Sequence, residues 1–153
     1  MVELGVVTLI LGVVAAVGMP AFKRVAIAAR TTAVANDLRV FASAYQTYAQ
    51  QTGAYPPEAA TGVIPNGMGD AYLAKAAWLR VTPIGGQYNW DYNQTQAGVV
   101  YKAAIGIRTN GREVVTTDKT QLLSLDRRID DGNLSTGNFF LGAGNEPVFI
   151  IER

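Results

Sequence analysis

Hydrophobic positions along this chain follow three different patterns, and each predicts a different element. From residue 4 to residue 22 nearly every position is apolar, and Thr8 is the only polar side chain. At about 1.5 Å per residue this run is roughly 29 Å long, close to the thickness of a bilayer core. It predicts a membrane-competent helix, because few soluble helices are apolar on every face for about five turns. Glu3 precedes the run, Pro20 lies near its end, and Lys23 and Arg24 follow it. A cleaved signal peptide would instead open on Lys or Arg.

The second pattern is helical. Ile27, Thr31, Val34, Leu38, Phe41, Tyr45 and Tyr48 alternate steps of four and three, which draws one stripe along a helix. Arg30, Asp37, Arg39 and Gln46 fall off the stripe. Gly53 and then Pro56-Pro57 form a strong stop. The two patterns join without a turn, so they predict one helix of roughly 50 residues, about 75 Å long. Gly18 and Pro20 weaken its ladder, and a kink or local unwinding is expected around residues 12–20. Gly5, Gly12, Ala15, Ala16 and Gly18 would let neighbouring helices approach closely. Three parts follow: an assembly or transmembrane segment over 1–23, an amphipathic continuation over 24–53, and a globular headgroup over 54–153.

The third pattern, after residue 56, is short and punctuated by Gly, Pro and Asn. DAYLAKAAWL, around residues 70–79, predicts a short helix, and Pro83, Gly85 and Gly86 a turn. QYNWDY, AGVVYKAAIGIR and EVVTTD read as strands, with Thr109-Asn110-Gly111 as a hairpin loop between the last two. DKTQLLSLDRRID predicts a helix capped by Asp118, and NFFLG and PVFIIER predict final strands. The expected class is α+β, a long helix packed on a small antiparallel sheet.

Composition removes most chemistry. With no cysteine and no histidine, disulfides, thiolate or imidazole metal sites and His-dependent nucleophilic sites are excluded. A net charge of +1 with no long run of one sign does not point to nucleic acid.

MVELGVVTLILGVVAAVGMPAF, the long helix and the GAYPP stop together resemble the type IV pilin and type II secretion pseudopilin superfamily. That family pairs a lone Glu near the processed N-terminus with an apolar helix and a proline about five turns later, and Glu3 and Pro20 match both. Met1 and Val2 precede Glu3, whereas the family's processed chain usually has four residues there, beginning with Phe. The resemblance implies a pilin-like fold and a helical homo-oligomeric filament. It also implies a precursor in the inner membrane, cut by a prepilin peptidase, N-methylated, and assembled by ATPase-driven machinery. The filament would be extracellular, or a periplasmic pseudopilus in the pseudopilin case; a signal-anchored periplasmic binding domain that does not polymerise is a third reading.

The resemblance also gives Glu3 a role, pairing with a neighbouring subunit's terminal ammonium, and makes Gly12, Gly18 and Pro20 assembly residues with it. From the residues alone Glu3 is equally an acid favoured by the helix dipole. Burying it in an apolar bundle costs several kcal/mol. An opposite charge at about 4 Å offsets that by roughly 4 kcal/mol at an effective dielectric near 20.

In LDRRIDDGNLSTGN, Asp126, Asp130, Asp131 and Asn133 gather hard oxygen ligands suited to Ca²⁺. The EF-hand spacing fails, since placing Gly132 sixth puts Arg127 first and Ile129 third. The competing reading is a helix end running into an Asp-Gly-Asn turn. The adjacent pair Asp130 and Asp131 does not make a glycosidase site, and no enzyme is expected. Trp78, Tyr88, Trp90 and Tyr92 suit either a stacking surface or a core, and the alternation in QYNWDY favours the core. The expected function is a structural subunit.

Overall fold

The computed structural model describes the chain from Val2 to Arg153; for Val2, Glu3, residues 14–18 and Pro20 it describes the backbone alone. Helix α1 runs Val2–Thr52 without interruption. The backbone is helical throughout residues 12–20, so the local unwinding expected there does not occur, although Pro20 has no N–H to donate to the ladder. The helix ends as the sequence demands. Gly53 takes φ +85 and donates its amide to the Ala49 carbonyl at 2.9 Å, a left-handed cap.

Four strands form one antiparallel sheet in the order β1-β2-β4-β3: β1 Gln87–Gln96, β2 Val99–Arg108, β3 Phe139–Leu141 and β4 Pro147–Glu152. Ala97 and Gly98, both at positive φ, make the tight turn of the β1–β2 hairpin. Helix α2 is Lys75–Leu79, shorter than the expected 70–79. Helix α3 is Lys119–Ile129, and the Asp118 side chain accepts the Thr120 amide at 2.9 Å as its cap.

One predicted strand is absent. Residues 113–118 form no strand, and Thr109-Asn110-Gly111 closes only an isolated bridge between Asn110 and Glu113. The reason lies in β2, whose two edges are taken by β1 and β4. EVVTTD instead lies across the Pro83–Gly86 turn: the Thr116 amide donates to Ile84 O at 2.8 Å, and Val115 is buried. Gly85, at φ +82, makes this close approach possible. A Cβ there would sit 2.0 Å from the Val114 carbonyl oxygen.

The core lies between the stripe of α1, the inner sheet face and α3. Val34, Leu38, Phe41 and Tyr45 are all buried there with Trp78, Tyr88, Trp90, Ile105, Leu122 and Leu125. Thr31 is buried on the same stripe and accepts the Gln121 side-chain amide at 2.7 Å, while Ile27 and Tyr48 are half-buried at its ends. Aromatic packing is specific. Tyr45 stacks on Trp90 with centroids 3.8 Å apart, and Phe41 meets Trp78 and Tyr88 edge-on at 5.1 and 4.9 Å. Tyr92 is half-buried beside this cluster.

Candidate functional site

Two halves of α1 have different surroundings. From about Ile27 onward its stripe is covered by the headgroup. Before that, the described residues stand free, with Leu4 77%, Leu9 71%, Met19 69%, Phe22 81% and Val25 68% exposed. Val6, Val7, Ile10, Leu11 and Val13 are also exposed. An apolar surface of this extent marks an interaction site. Thr8 does not break it, since its hydroxyl turns back to the Leu4 carbonyl at 2.7 Å. Gly12 is exposed, and a Cβ added at Gly12 or Gly5 meets nothing within 4 Å. Neither glycine is demanded by contacts within this chain, although each costs a helix about 1 kcal/mol relative to Ala.

Of the other predicted assembly residues, the side chain of Glu3, and Gly18 and Pro20, lie outside the described residues. Among the described residues no helix is long and apolar enough to cross a membrane. The apolar run 4–22 includes residues 14–18 and Pro20, which are outside that set.

The acidic residues at the C-terminal end of α3 come together. One carboxylate oxygen each from Asp126, Asp130 and Asp131 lies within 4.8 Å of the others. Asp130 Oδ2 accepts the Phe139 and Asn138 amides, which draws the loop toward β3. Asp131 Oδ1 accepts the Asn133 amide at 2.8 Å, and Asp131 Oδ2 accepts the Thr136 hydroxyl at 2.6 Å. Asn133 Oδ1 accepts the Ser135 amide. These are the turn bonds that the Asp-Gly-Asn reading predicts. Asp126 is different: it is fully buried, and neither carboxylate oxygen has a hydrogen-bond partner among the described residues. Desolvation pushes its pKa up, Asp131 and Asp130 push the same way, and the nearby Gly132 amide pulls it down.

Two polar clusters escaped the sequence reading. Asp37, which periodicity sets off the stripe, is buried; its Oδ2 accepts the Tyr88 hydroxyl at 2.7 Å and pairs with Arg80. Asp91 is buried on the outer sheet face, where its Oδ2 accepts Arg108 Nη2 at 2.6 Å and the Tyr101 hydroxyl at 2.9 Å. Arg108 continues to Glu146 at 3.4 Å, and the cluster borders an open cleft with Glu58 and Thr61. The alternation in QYNWDY does put Asn89 and Asp91 opposite Trp90. Their partners depend on the β1–β2 register, which no local signal announces.

No protein-family model matches the chain, and no curated protein matches it. Among solved structures it is similar to the major type IV pilin PilA1 from Clostridium difficile, at 18% identity with a TM-score of 0.57. The match covers 83% of this chain and 97% of that one. The chain has the type IV pilin fold. The likeness covers a larger share of the chain than the first 57 or so residues on which the sequence resemblance rested. In this pilin-fold chain the sheet, α2 and α3 form the headgroup, and the exposed apolar half of α1 is the part that the headgroup leaves uncovered.

Proposed function

We propose that the chain is a structural subunit of a type IV pilus-like extracellular filament, polymerising through its N-terminal helix. The observation that carries this reading is the exposed apolar surface that the described residues between Leu4 and Val25 present, on a helix whose second half is locked into a headgroup. The free energy of burying such a surface, about 25 cal/mol per Å², is available only on assembly or in lipid. Glycines without an internal contact, such as Gly12, suit close helix approach in a bundle.

In this mechanism the greasy half rests in the inner membrane after synthesis and then moves into a bundle of identical helices. Glu3 meets an adjacent subunit's terminal ammonium there and fixes axial register. Gly18 and Pro20 belong to the same packing surface. A prepilin peptidase and an assembly ATPase are the partners this life cycle requires. The chain performs no catalysis in it.

Changing Glu3→Ala tests the pairing. Sheared surface fibres should disappear in electron micrographs while the headgroup keeps its thermal transition. Fibres that persist unchanged refute the charge pair. Filaments confined to the periplasm would favour a pseudopilus, and a wild-type chain that never polymerises would favour an anchored domain. Mass spectrometry of the mature N-terminus reads out cleavage and methylation.

A second proposal concerns Asp126, Asp130 and Asp131 as a Ca²⁺ site at the end of α3, supported by the buried, unpartnered Asp126 carboxyl. The donors are hard oxygens, as calcium prefers, and Asn133 stands in the same loop. Calcium at about 100 times its Kd should raise the headgroup Tm by about 10 °C. Asp126→Asn should abolish that response. No response in wild type, or the same response in the variant, removes the proposal.

A further inference from the structure

Where α1 leaves the headgroup, a groove opens between α1 and α3, lined by Arg24, Ile27, Thr120, Leu123, Ser124 and Arg127. Its two walls come from different elements. Each wall carries one exposed guanidinium, and neither Arg24 nor Arg127 is in an ion pair among the described residues. Half-buried Ile27 and Leu123 make an apolar floor, and two hydroxyls stand beside it. Among the described residues no carboxylate lines the groove.

We propose that this groove binds the headgroup phosphate of a net-anionic phospholipid while the subunit is in the membrane. The inference rests on the membrane-resident precursor proposed above. Its position fits: from Leu4 to Arg24 the helix rises about 30 Å, the thickness of a hydrocarbon core. With the apolar half immersed, Arg24 and Arg127 stand at the level of the phosphates. Two guanidiniums suit a phosphate oxyanion through charge-assisted hydrogen bonds, and the hydroxyls of Thr120 and Ser124 add donors. The absence of an acid explains the preference for net negative charge. A zwitterionic headgroup brings a cation that finds no counter-charge here. Ile27 and Leu123 meet the glycerol and upper acyl carbons.

The experiment uses the full chain in vesicles of phosphatidylcholine alone and of phosphatidylcholine mixed with phosphatidylglycerol. Flotation reports insertion, and native mass spectrometry reports the lipid retained. Phosphatidylglycerol should be retained preferentially, and Arg127→Gln should weaken that preference about fivefold, the worth of one basic residue at an anionic surface. Arg127 is on α3, so its loss leaves the inserted helix intact. Arg112→Gln removes the same charge from an exposed loop outside the groove and should leave the preference unchanged. Equal loss in both variants, or flotation without lipid preference, overturns the groove. A chain that floats with neither vesicle refutes the membrane reading and brings the groove down with it.

Discussion

At the scale of single residues, the most exposed joint in this fold's stability is Asp37. It ties α1 to the headgroup through two partners of different kind. Tyr88 is fully buried, and its hydroxyl donates to Asp37; the Arg80 side chain is 46% exposed. Removing the carboxylate therefore has unequal consequences. Arg80 regains water, while the Tyr88 hydroxyl loses its acceptor in a dry environment. Asp37→Ala should cost about 1–3 kcal/mol, the penalty of a buried unsatisfied donor. The double variant with Tyr88→Phe should recover part of that loss, as read from urea denaturation midpoints. If the double variant is no better than the single one, the ion pair and not the phenol carries the joint. Nothing local in the sequence marks Asp37 as buried. It sits one position from Leu38 at the margin of the stripe, and Arg80 is 43 residues away.

At the scale of elements, helices were legible and one strand was not, for a physical reason. A helix satisfies its backbone within itself, so periodicity, the Asp118 cap and the Gly53 stop suffice to outline α1 and α3. A strand exists only if an edge is free to pair with it. EVVTTD has the composition of a strand, but β1 and β4 occupy both edges of β2, so it lies over a turn instead. The exposed apolar half of α1 was visible from composition, whereas the placing of Arg24 and Arg127 along one groove depends on how α3 docks and could not be read locally. The two halves of α1 should also respond differently to truncation. Phe41→Ala, which empties a buried site between Trp78 and Tyr88, should cost about 3–5 kcal/mol and shift the fluorescence of Trp78. Leu11→Ala, at a position 62% exposed, should leave headgroup stability within about 0.5 kcal/mol and weaken polymerisation. Equal destabilisation by both would contradict the division of the helix.

At the scale of the whole molecule, α1, β1 and β2 each place a buried tyrosine in or beside the core: Tyr45, Tyr88 and Tyr101. Burial pushes all three phenols up, and for Tyr88 and Tyr101 the carboxylates of Asp37 and Asp91 push further the same way. Tyr55, near Glu152, is pushed up to about 12, mainly by desolvation. Folding therefore holds these groups protonated at a pH where the unfolded chain, with phenols near 10, releases the protons. The sign follows directly. Below pH ~10 both states bind the same protons and these groups add no pH dependence. Above it the unfolded state binds fewer, so stability falls as pH rises. The loss deepens until Tyr55 itself ionises in the folded state near 12, and the buried three continue it beyond. Denaturation midpoints should drop from pH ~9 to ~11, with tyrosinate absorbance growing in step with the loss of near-ultraviolet dichroism. Tyr45→Phe discriminates best. Among the described residues the Tyr45 hydroxyl is buried without a partner, so its removal should be neutral or stabilising at neutral pH and should flatten the alkaline loss. A flat midpoint in the wild type, or an unchanged slope in Tyr45→Phe, would mean that these phenols reach solvent. The core would then be looser than the stacking of Tyr45 on Trp90 requires.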